Sequence, residues 1–170
     1  MSDLHNLISS LQNSRKTLFI LCGFPYAGKS YIAKQLIKET DAAFISIDDI
    51  FYAYGFNWDS NNLPDTKGWE QIFAESYEKT RRALMARKNV LYDSTNQTVV
   101  SRDKLREVAY SVGAEAKVVF VKTPVEVVWQ RWEDNQKDQT RSVVSKELVQ
   151  QTIDMFEEPA EDGNVIIVNN

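Results

Sequence analysis

The sequence predicts an α/β fold in which helices cover both faces of a five-stranded parallel sheet. Short apolar runs alternate along the chain with segments of helical periodicity, which is the order expected when parallel strands are joined by helices. The first run, residues 18–22, is apolar throughout, as is typical of a strand buried on both faces. A glycine-rich loop follows it and leads into a helical pattern, which places a ligand-binding loop at the end of the first strand.

The bulk composition favours one domain over residues 1–170, with a real core and no membrane span. The chain has 170 residues, 43% of them hydrophobic, and no run approaches the roughly 20 apolar residues that a membrane helix needs. Its net charge is −4, which argues against non-specific affinity for nucleic acid. Cys22 is the single cysteine, so no intrachain disulfide is expected and the thiol is predicted to be buried at the strand's end. Without a cleavable apolar signal, the expected location is cytoplasmic.

The remaining elements are predicted from periodicity and capping residues. An N-terminal amphipathic helix is expected over residues 2–14, and its His5 is expected at the surface. A long helix should begin at Asp65 or Thr66 and end near Arg87, with an inner stripe that contains Trp69, Ile72, Phe73, Tyr77, Thr80 and Leu84. The later strands are expected at 42–47, 89–92, 116–121 and 165–168.

Three further helices are predicted in the second half of the chain. Ser101 should cap the first of them, and Gly113 should close it. A capping box with proline at the first helical position, residues 123–126, should open the second, and Ser145 should cap the third, which ends near residue 157. Residues 51–64 are predicted to be irregular and rich in aromatic side chains.

The glycine-rich loop fits the phosphate-binding pattern G-x-x-x-x-G-K-[ST], the P-loop. It comprises Gly23, Phe24, Pro25, Tyr26, Ala27, Gly28, Lys29 and Ser30. The two glycines allow the backbone to approach phosphate oxygens, and the helix that follows adds its positive N-terminal end. Lys29 is predicted to reach the β- and γ-phosphates, and the Ser30 hydroxyl to bind Mg²⁺. The motif in this context predicts a P-loop NTPase three-layer sandwich that binds ATP and Mg²⁺.

Polar residues at the ends of strands are expected to meet beside this loop, because ligands bind beyond the carboxyl ends of parallel strands. Asp48 is predicted to act as general base or substrate anchor, and Asp49 is the less favoured candidate for that role. Alternatively, either aspartate could cap a helical turn that starts at Ile50. Asp93 is predicted to be a magnesium-organising acid, with a turn-forming aspartate as the alternative. Asn96 and Arg102 either line an acceptor site or are a loop residue and a surface-helix residue.

Two arginines are predicted to belong to a mobile lid. Arg131 and Arg141 flank the polar stretch 133–144, and arginine suits the charge that develops on a phosphoryl group in transfer. Residues 131–144 are therefore expected to close over ATP, although solvent-exposed charge is the simpler alternative. The aromatic side chains at 51–58 either pack on their own domain or stack on a substrate. The short matches to GTPase motifs, D-x-x-G at 65–68 and a near match to N-K-x-D at 135–138, are misplaced and do not favour a GTP switch protein.

Together these segments resemble P-loop kinases related to the kinase domain of phage-type polynucleotide kinase, and most of all the predicted small kinases of the AAA_33-like group. The resemblance covers roughly residues 17–168, and its motifs are the P-loop, Ile47-Asp48-Asp49, residues 91–96 with Arg102, and residues 156–159. It implies ATP and Mg²⁺ as cofactors, Asp48 as general base, and contacts from Arg131 and Arg141 to ATP. The stretch after Asp48 lacks the arginine that holds a nucleic-acid phosphate in polynucleotide kinases.

The predicted function is an ATP-dependent kinase that transfers the γ-phosphoryl group to a hydroxyl, with a small molecule favoured over a nucleic acid as the acceptor. The predicted catalytic residues are Lys29, Asp48, Arg131 and Arg141. Nucleotide contacts are expected from residues 23–30, Tyr31 and Arg131, and metal contacts from Ser30 and Asp93. Two alternatives stay open: a 5′-hydroxyl polynucleotide kinase, and an ATP-binding regulatory module with little transfer. The sequence names neither the acceptor nor the oligomeric state, and it carries no clear base-reading motif.

Overall fold

A computed structural model describes residues 3–58, 62–159 and 162–170 of the chain. The helices are α1 (Asp3–Asn13), α2 (Lys29–Glu39), α3 (Ile47–Ala53), α4 (Thr66–Met85), α5 (Val99–Tyr110), α6 (Val125–Asp138) and α7 (Lys146–Asp154). The strands are β1 (Thr17–Cys22), β2 (Ala43–Ser46), β3 (Val90–Asp93), β4 (Glu115–Lys122) and β5 (Val165–Asn169). Among the described residues, no helix is both long and apolar enough to cross a membrane.

The five strands form one sheet in the order β2-β3-β1-β4-β5, and every neighbouring pair is parallel. β1 lies in the centre, where Leu18 pairs with Val90 of β3 on one side and with Ala116 of β4 on the other. All carboxyl ends of the strands therefore point to one edge of the sheet, and the predicted parallel α/β fold is confirmed.

Alternating side chains of β1 face two different hydrophobic layers. Leu18 and Ile20 pack in a layer with residues of α3, α4 and α5, whereas Phe19 and Leu21 pack in a second layer with residues of α1 and α2. All six residues of β1 are buried, including Cys22, as the continuous apolar run predicts. The molecule is thus a three-layer sandwich with the sheet in the middle.

A smaller cluster lies over the carboxyl edge of the sheet. Its buried members are Tyr26 of the glycine-rich loop, Val128 of α6 and Val149 of α7. α6 and α7 are joined by the loop of residues 139–145, so this cluster anchors that loop beside the end of β1.

Several predicted boundaries are wrong, each for a local reason. The N-cap of α5 is Thr98, and Ser101 forms the other half of its capping box instead of capping the helix itself. α6 has Pro124 at its N-cap with no side-chain cap, because the Thr123 hydroxyl donates to the carbonyl oxygen of Ala27. Asp65 caps α4 as predicted, by accepting from the backbone N–H of Gly68 at 2.8 Å.

Candidate active site

The P-loop, residues 23–30, connects β1 to α2 at the carboxyl edge of the sheet. Gly28 has a φ of 95°, and Gly23 has a φ of 152°, where an added Cβ would lie 2.8 Å from the carbonyl oxygen of Val121. The loop therefore needs glycine at both positions, for backbone conformation at Gly28 and for close packing at Gly23. Its backbone leads directly into the N-terminus of α2, the arrangement that binds phosphate in the P-loop pattern.

Lys29 lies in the first turn of α2 with its side chain turned into the P-loop. Its Nζ donates to the carbonyl oxygens of Gly23 at 3.0 Å and Phe24 at 2.7 Å. Desolvation lowers the pKa of this buried ammonium group, against the opposing effect of the Asp93 carboxylate. The positive charge is thus placed inside the concave face of the loop.

Ser30 and Asp93 form a pair of oxygen donors close to Lys29. The Ser30 hydroxyl donates to Asp93 Oδ2 at 2.8 Å, which is possible because β3 is paired to β1 and ends beside the P-loop. Desolvation raises the pKa of Asp93, while Lys29 and Ser30 act to lower it. Hydroxyl and carboxylate oxygens are ligands that Mg²⁺ prefers. Within the described residues no cluster of three or more His, Cys, Asp or Glu side chains suits a metal, so these two are the protein donors at hand.

Asp48 lies on α3, directly after β2, and this helix extends to Ala53, into the stretch predicted to be irregular. Ser46 caps the helix by accepting from the backbone N–H of Asp49, so neither aspartate is the cap. Desolvation raises the pKa of Asp48, against a hydrogen bond from Trp58 and the charge of Lys29. The residue has an exposed surface, whereas its carboxylate lies among protein groups that displace part of its water. A carboxylate at this position can accept the proton of a hydroxyl that attacks phosphorus.

Both predicted lid arginines contact the P-loop, through Tyr26. Arg131 on α6 donates from Nη1 to the carbonyl oxygen of Tyr26 at 3.1 Å. The guanidinium carbon of Arg141 lies 3.8 Å from the centre of the Tyr26 ring. Arg141 also interacts electrostatically with Lys29 and Asp48, so it belongs to the same charged group. The first part of the predicted lid, up to Asp138, is helical.

A buried asparagine, which the sequence showed only as part of the near match to N-K-x-D, holds the loop that carries Arg141. Asn135 is 4% exposed, accepts from the backbone N–H of Arg141 at 3.2 Å, and donates to the carbonyl oxygen of the same residue at 3.1 Å. The Thr140 hydroxyl donates to it as well. Its place in a polar stretch gave no signal that it is buried.

Asn96 and Arg102 both lie in the buried scaffold, which contradicts the surface-helix alternative for Arg102 and leaves the acceptor-site alternative without support. Asn96 is buried and donates to the carbonyl oxygen of Leu21, which fixes the loop after β3 against β1. Arg102 is fully buried and forms an ion pair with Asp162. Both residues therefore stabilise the scaffold behind the P-loop.

The aromatic side chains after Asp48 mostly pack on one another. Phe51 is fully buried and stacks on Trp58 with ring centres 4.5 Å apart, and on Trp69 at 5.7 Å. Tyr52 is partly exposed, and its hydroxyl donates to the Ser142 hydroxyl at 2.7 Å, which joins α3 to the loop after α6. Among the nucleotide-contact candidates, Tyr31 has an exposed side chain in the first turn of α2.

Comparison with solved structures shows the same fold in several other proteins, among them a kinase. A gluconokinase from Sinorhizobium meliloti 1021 has 19% sequence identity and a TM-score of 0.64, with 91% of this chain and 82% of that chain covered. Kti12 from Chaetomium thermophilum, in complex with ADP-AlF3, has 18% identity and a TM-score of 0.70, with coverages of 89% and 88%. A chain of the Pnkp1/Rnl/Hen1 RNA repair complex has 24% identity and a TM-score of 0.69, but the match spans 82% of this chain and only 43% of that one.

No curated protein matches this chain. A family model described as an AAA domain matches residues 18–159, which extend from β1 past the end of α7 and include the P-loop, Asp48, Asp93 and both lid arginines. The fold of this family implies nucleotide binding at the P-loop. Because the match covers most of its length, the chain belongs to the AAA_33 family of P-loop proteins.

Proposed function

We propose that this protein is an ATP-dependent kinase that transfers the γ-phosphoryl group of ATP to a hydroxyl of a small molecule. The observation that carries the proposal is the position of Asp48 at the carboxyl end of β2, in electrostatic contact with Lys29 of the P-loop and with Arg141. A nucleotide-binding module alone needs the P-loop, whereas transfer also needs a group that accepts the proton of the attacking hydroxyl.

The proposed reaction assigns one task to each side chain. The acceptor oxygen attacks the γ-phosphorus while Asp48 takes its proton, and the bond between the γ-phosphorus and the bridging oxygen breaks to release ADP. Lys29 and the backbone N–H groups of the P-loop bind the β- and γ-phosphates, and Arg131 and Arg141 stabilise the charge on the transferred group. Catalysis then rests mainly on positioning and charge neutralisation.

Ser30 and Asp93 would hold Mg²⁺ in this proposal. Their oxygens lie 2.8 Å apart beside the P-loop, and Asp93 is buried, so both oxygen donors are held close together there. The ion supplies neutralisation of phosphate charge when it is bound. Asp93→Asn is expected to weaken the dependence of nucleotide affinity on Mg²⁺.

A small acceptor is favoured over a polynucleotide by the charge of the acceptor side. α3 carries Asp48 and Asp49 and no lysine or arginine, so it offers no cation for a nucleic-acid phosphate. The similarity to an RNA repair complex supports the polynucleotide alternative only at the level of the fold. A gluconokinase and a sugar kinase among the similar structures act on small hydroxyl compounds according to their names, which agrees with the proposal.

Substitution of Lys29 tests the proposed phosphate site. Lys29→Ala is expected to lower transfer at least about 100-fold, because one preorganised charged donor at a transferred group is worth that much or more. Transfer of label from γ-labelled ATP measures the loss. Lys34→Ala is the matched control, since Lys34 is exposed on the same helix. Equal transfer by Lys29→Ala and the native protein would refute the assignment.

A further inference from the structure

Tyr26 occupies a variable position of the P-loop and adopts an unusual conformation. Its φ is 63°, in the left-handed region that a bulky side chain rarely adopts, and its side chain is only 5% exposed. Such a conformation persists where surrounding contacts hold it, and it is found most often at functional sites. The contacts of Tyr26 therefore point to a task beyond closing the loop.

Three different groups of Tyr26 contact the lid segment, residues 131–144. Its carbonyl oxygen accepts from Arg131 at 3.1 Å, and its hydroxyl accepts from the backbone N–H of Val144 at 3.4 Å. The face of its ring lies against Arg141, with 3.8 Å from the guanidinium carbon to the ring centre. The two ends of the segment and the arginine of its loop thus converge on one residue of the phosphate loop.

Packing fixes the orientation of the ring. Tyr26 lies in one buried cluster with Val128 of α6 and Val149 of α7, which hold its ring from the side of the helices. Trp132 donates from Nε1 to the carbonyl oxygen of Val144 at 2.8 Å, so the backbone that reaches the Tyr26 hydroxyl is itself held. A ring fixed in this way offers Arg141 a defined surface, which a flexible loop does not.

On the face of the Tyr26 ring, the Arg141 guanidinium lies near the charged groups of the candidate active site. Its guanidinium interacts with the charges of Lys29 and Asp48, whereas the carbonyl oxygen of Tyr26 holds Arg131 beside Gly28. We propose that Tyr26 is a positioning residue, whose ring holds Arg141 at the phosphate loop and whose hydroxyl fixes the end of the lid segment. The inference rests on the proposed function, which gives Arg141 its role in transfer.

Tryptic cleavage after Arg141 tests the contact without any assay of activity. An arginine stacked on a buried ring must leave it before trypsin can bind, so the rate at low protease reports the detached fraction. Tyr26→Leu removes the ring face but keeps an apolar side chain for Val128 and Val149. We expect it to raise the rate of cleavage after Arg141 about threefold or more, because that is the effect of losing a cation–π contact. Tyr110→Leu on α5 is the control, since Tyr110 is 58% exposed. An unchanged rate in Tyr26→Leu overturns the inference.

Tyr26→Phe separates the ring from the hydroxyl and keeps the proposal testable if the leucine variant does not fold. The retained ring should leave cleavage after Arg141 within about twofold of the native rate. Loss of the acceptor for Val144 should speed hydrogen exchange of the Val144 amide several-fold, as expected for one hydrogen bond. Cleavage raised as much as in Tyr26→Leu, or native exchange at Val144, contradicts the assigned roles.

Kinetics connect the contact to transfer. With the acceptor that a label-transfer screen identifies, Tyr26→Leu should lower kcat about threefold or more but by no more than Arg141→Ala does, with little change in KM for ATP. The double variant Tyr26→Leu with Arg141→Ala should lose no more than Arg141→Ala alone, because both act through one group. Additive losses overturn the inference. If the native protein transfers no label while Tyr26→Leu still exposes Arg141, the proposed function fails and the contact stands.

Discussion

At the scale of single residues, the candidate active site consists of ionisable groups whose pKa values are shifted in the folded protein. Each shift favours the neutral form of the group. Desolvation raises the pKa of Asp48 and of Asp93 and lowers the pKa of Lys29. Mutual attraction opposes desolvation at all three, since Lys29 acts on both carboxylates. Groups whose charges are held at a cost to folding are typical of functional sites, where activity outweighs stability.

Asp48→Asn tests the proposed base. We expect transfer to fall about 100-fold to 10,000-fold, the range associated with a lost acid–base group, while ATP affinity is retained. The control is Asp49→Asn, which alters the adjacent exposed carboxylate in the same turn of α3 and should keep most of the transfer. Label transfer and calorimetric titration with ATP measure the two quantities. Native transfer by Asp48→Asn rejects the role.

The raised pKa of Asp48 also predicts a pH dependence of transfer. The base must be ionised, so transfer should fall as the pH drops through a pKa raised above the ordinary aspartate value and reach a plateau on the alkaline side. The stability of the protein should change with pH in the opposite direction to transfer. Because the pKa of Asp48 is raised on folding, the folded state favours the protonated carboxyl, and its contribution to the free energy of unfolding declines as the pH rises toward the folded-state pKa. Asp48→Asn should therefore have a Tm at pH 7.5 at least as high as the native protein. A clearly lower Tm would contradict this electrostatic interpretation.

At the scale of elements, α3 shows why local pattern was insufficient. The helix has seven residues, too few for a clear helical period, and its aromatic side chains suggested an irregular loop. Ser46, which caps it, lies within the range predicted for the preceding strand. The position of Asp48 at the end of β2 was nevertheless predicted. Only the strand had to be recognised for this, because Asp48 follows the strand whether the next residues form a helix or a loop.

α5 and the segment before β5 are joined by a buried ion pair that no sequence pattern indicated. Arg102 is fully buried, donates from Nη2 to Asp162 Oδ1 at 3.3 Å, and Arg106 donates to the same carboxylate at 3.0 Å. Arg102 and Asp162 are 60 residues apart, so only the fold brings them together. Removal of one partner leaves an uncompensated buried charge, which is strongly destabilising.

Asp162→Asn is expected to lower the free energy of unfolding by about 3–5 kcal/mol, the cost of breaking a buried ion pair. The control is Asp103→Asn, since Asp103 pairs with Arg106 but its side chain is 57% exposed, and its loss should cost about 1 kcal/mol or less. Urea denaturation measures both. Similar small losses in the two variants would show that the buried pair does not stabilise the scaffold.

The same pair predicts stability against pH. Desolvation would raise the pKa of Asp162, but the hydrogen bonds from Arg102 and Arg106 outweigh it and hold the pKa below its ordinary value. A lowered pKa contributes stability above the unfolded-state pKa, and this contribution is lost as the pH falls through the folded-state value. The difference between native protein and Asp162→Asn should therefore shrink as the pH falls from neutral into the acid range. A constant difference over that range would contradict the assignment.

At the scale of the whole molecule, the arrangement of layers could be predicted from the sequence. The contacts between residues within the candidate active site could not be predicted. Continuous apolar strands and the motif at residues 23–30 were sufficient to predict a parallel sheet with a phosphate loop at its edge. The strand order and the contact between Ser30 and Asp93 required three-dimensional pairing of β1 with β3. The contacts of Tyr26 and Asn135 with the lid segment could not be predicted. Tyr26 occupies a variable loop position and Asn135 lies in a polar stretch, so neither residue belongs to a periodic hydrophobic pattern that would indicate burial.

The charge of the whole molecule bears on the acceptor. A net charge of −4 and a helix beside the P-loop with two aspartates and no cation disfavour a polyanionic substrate. The same helix carries the partly exposed Tyr52, whose ring packs edge-on against Phe51. These features favour a small hydroxyl compound over an RNA or DNA end.

Transfer of label from γ-labelled ATP with Mg²⁺ tests whether the protein is a kinase for a small hydroxyl compound that uses Asp48 as its base. The acceptors are gluconate, a hexose, a nucleoside and a 5′-hydroxyl RNA oligonucleotide, each with the native protein and with Asp48→Asn. We predict that a small hydroxyl compound is labelled by the native protein, that the oligonucleotide is not, and that Asp48→Asn abolishes the label while it still binds ATP. Label on the oligonucleotide alone would contradict the small-molecule acceptor, and ATP binding without label on any acceptor would contradict the kinase itself.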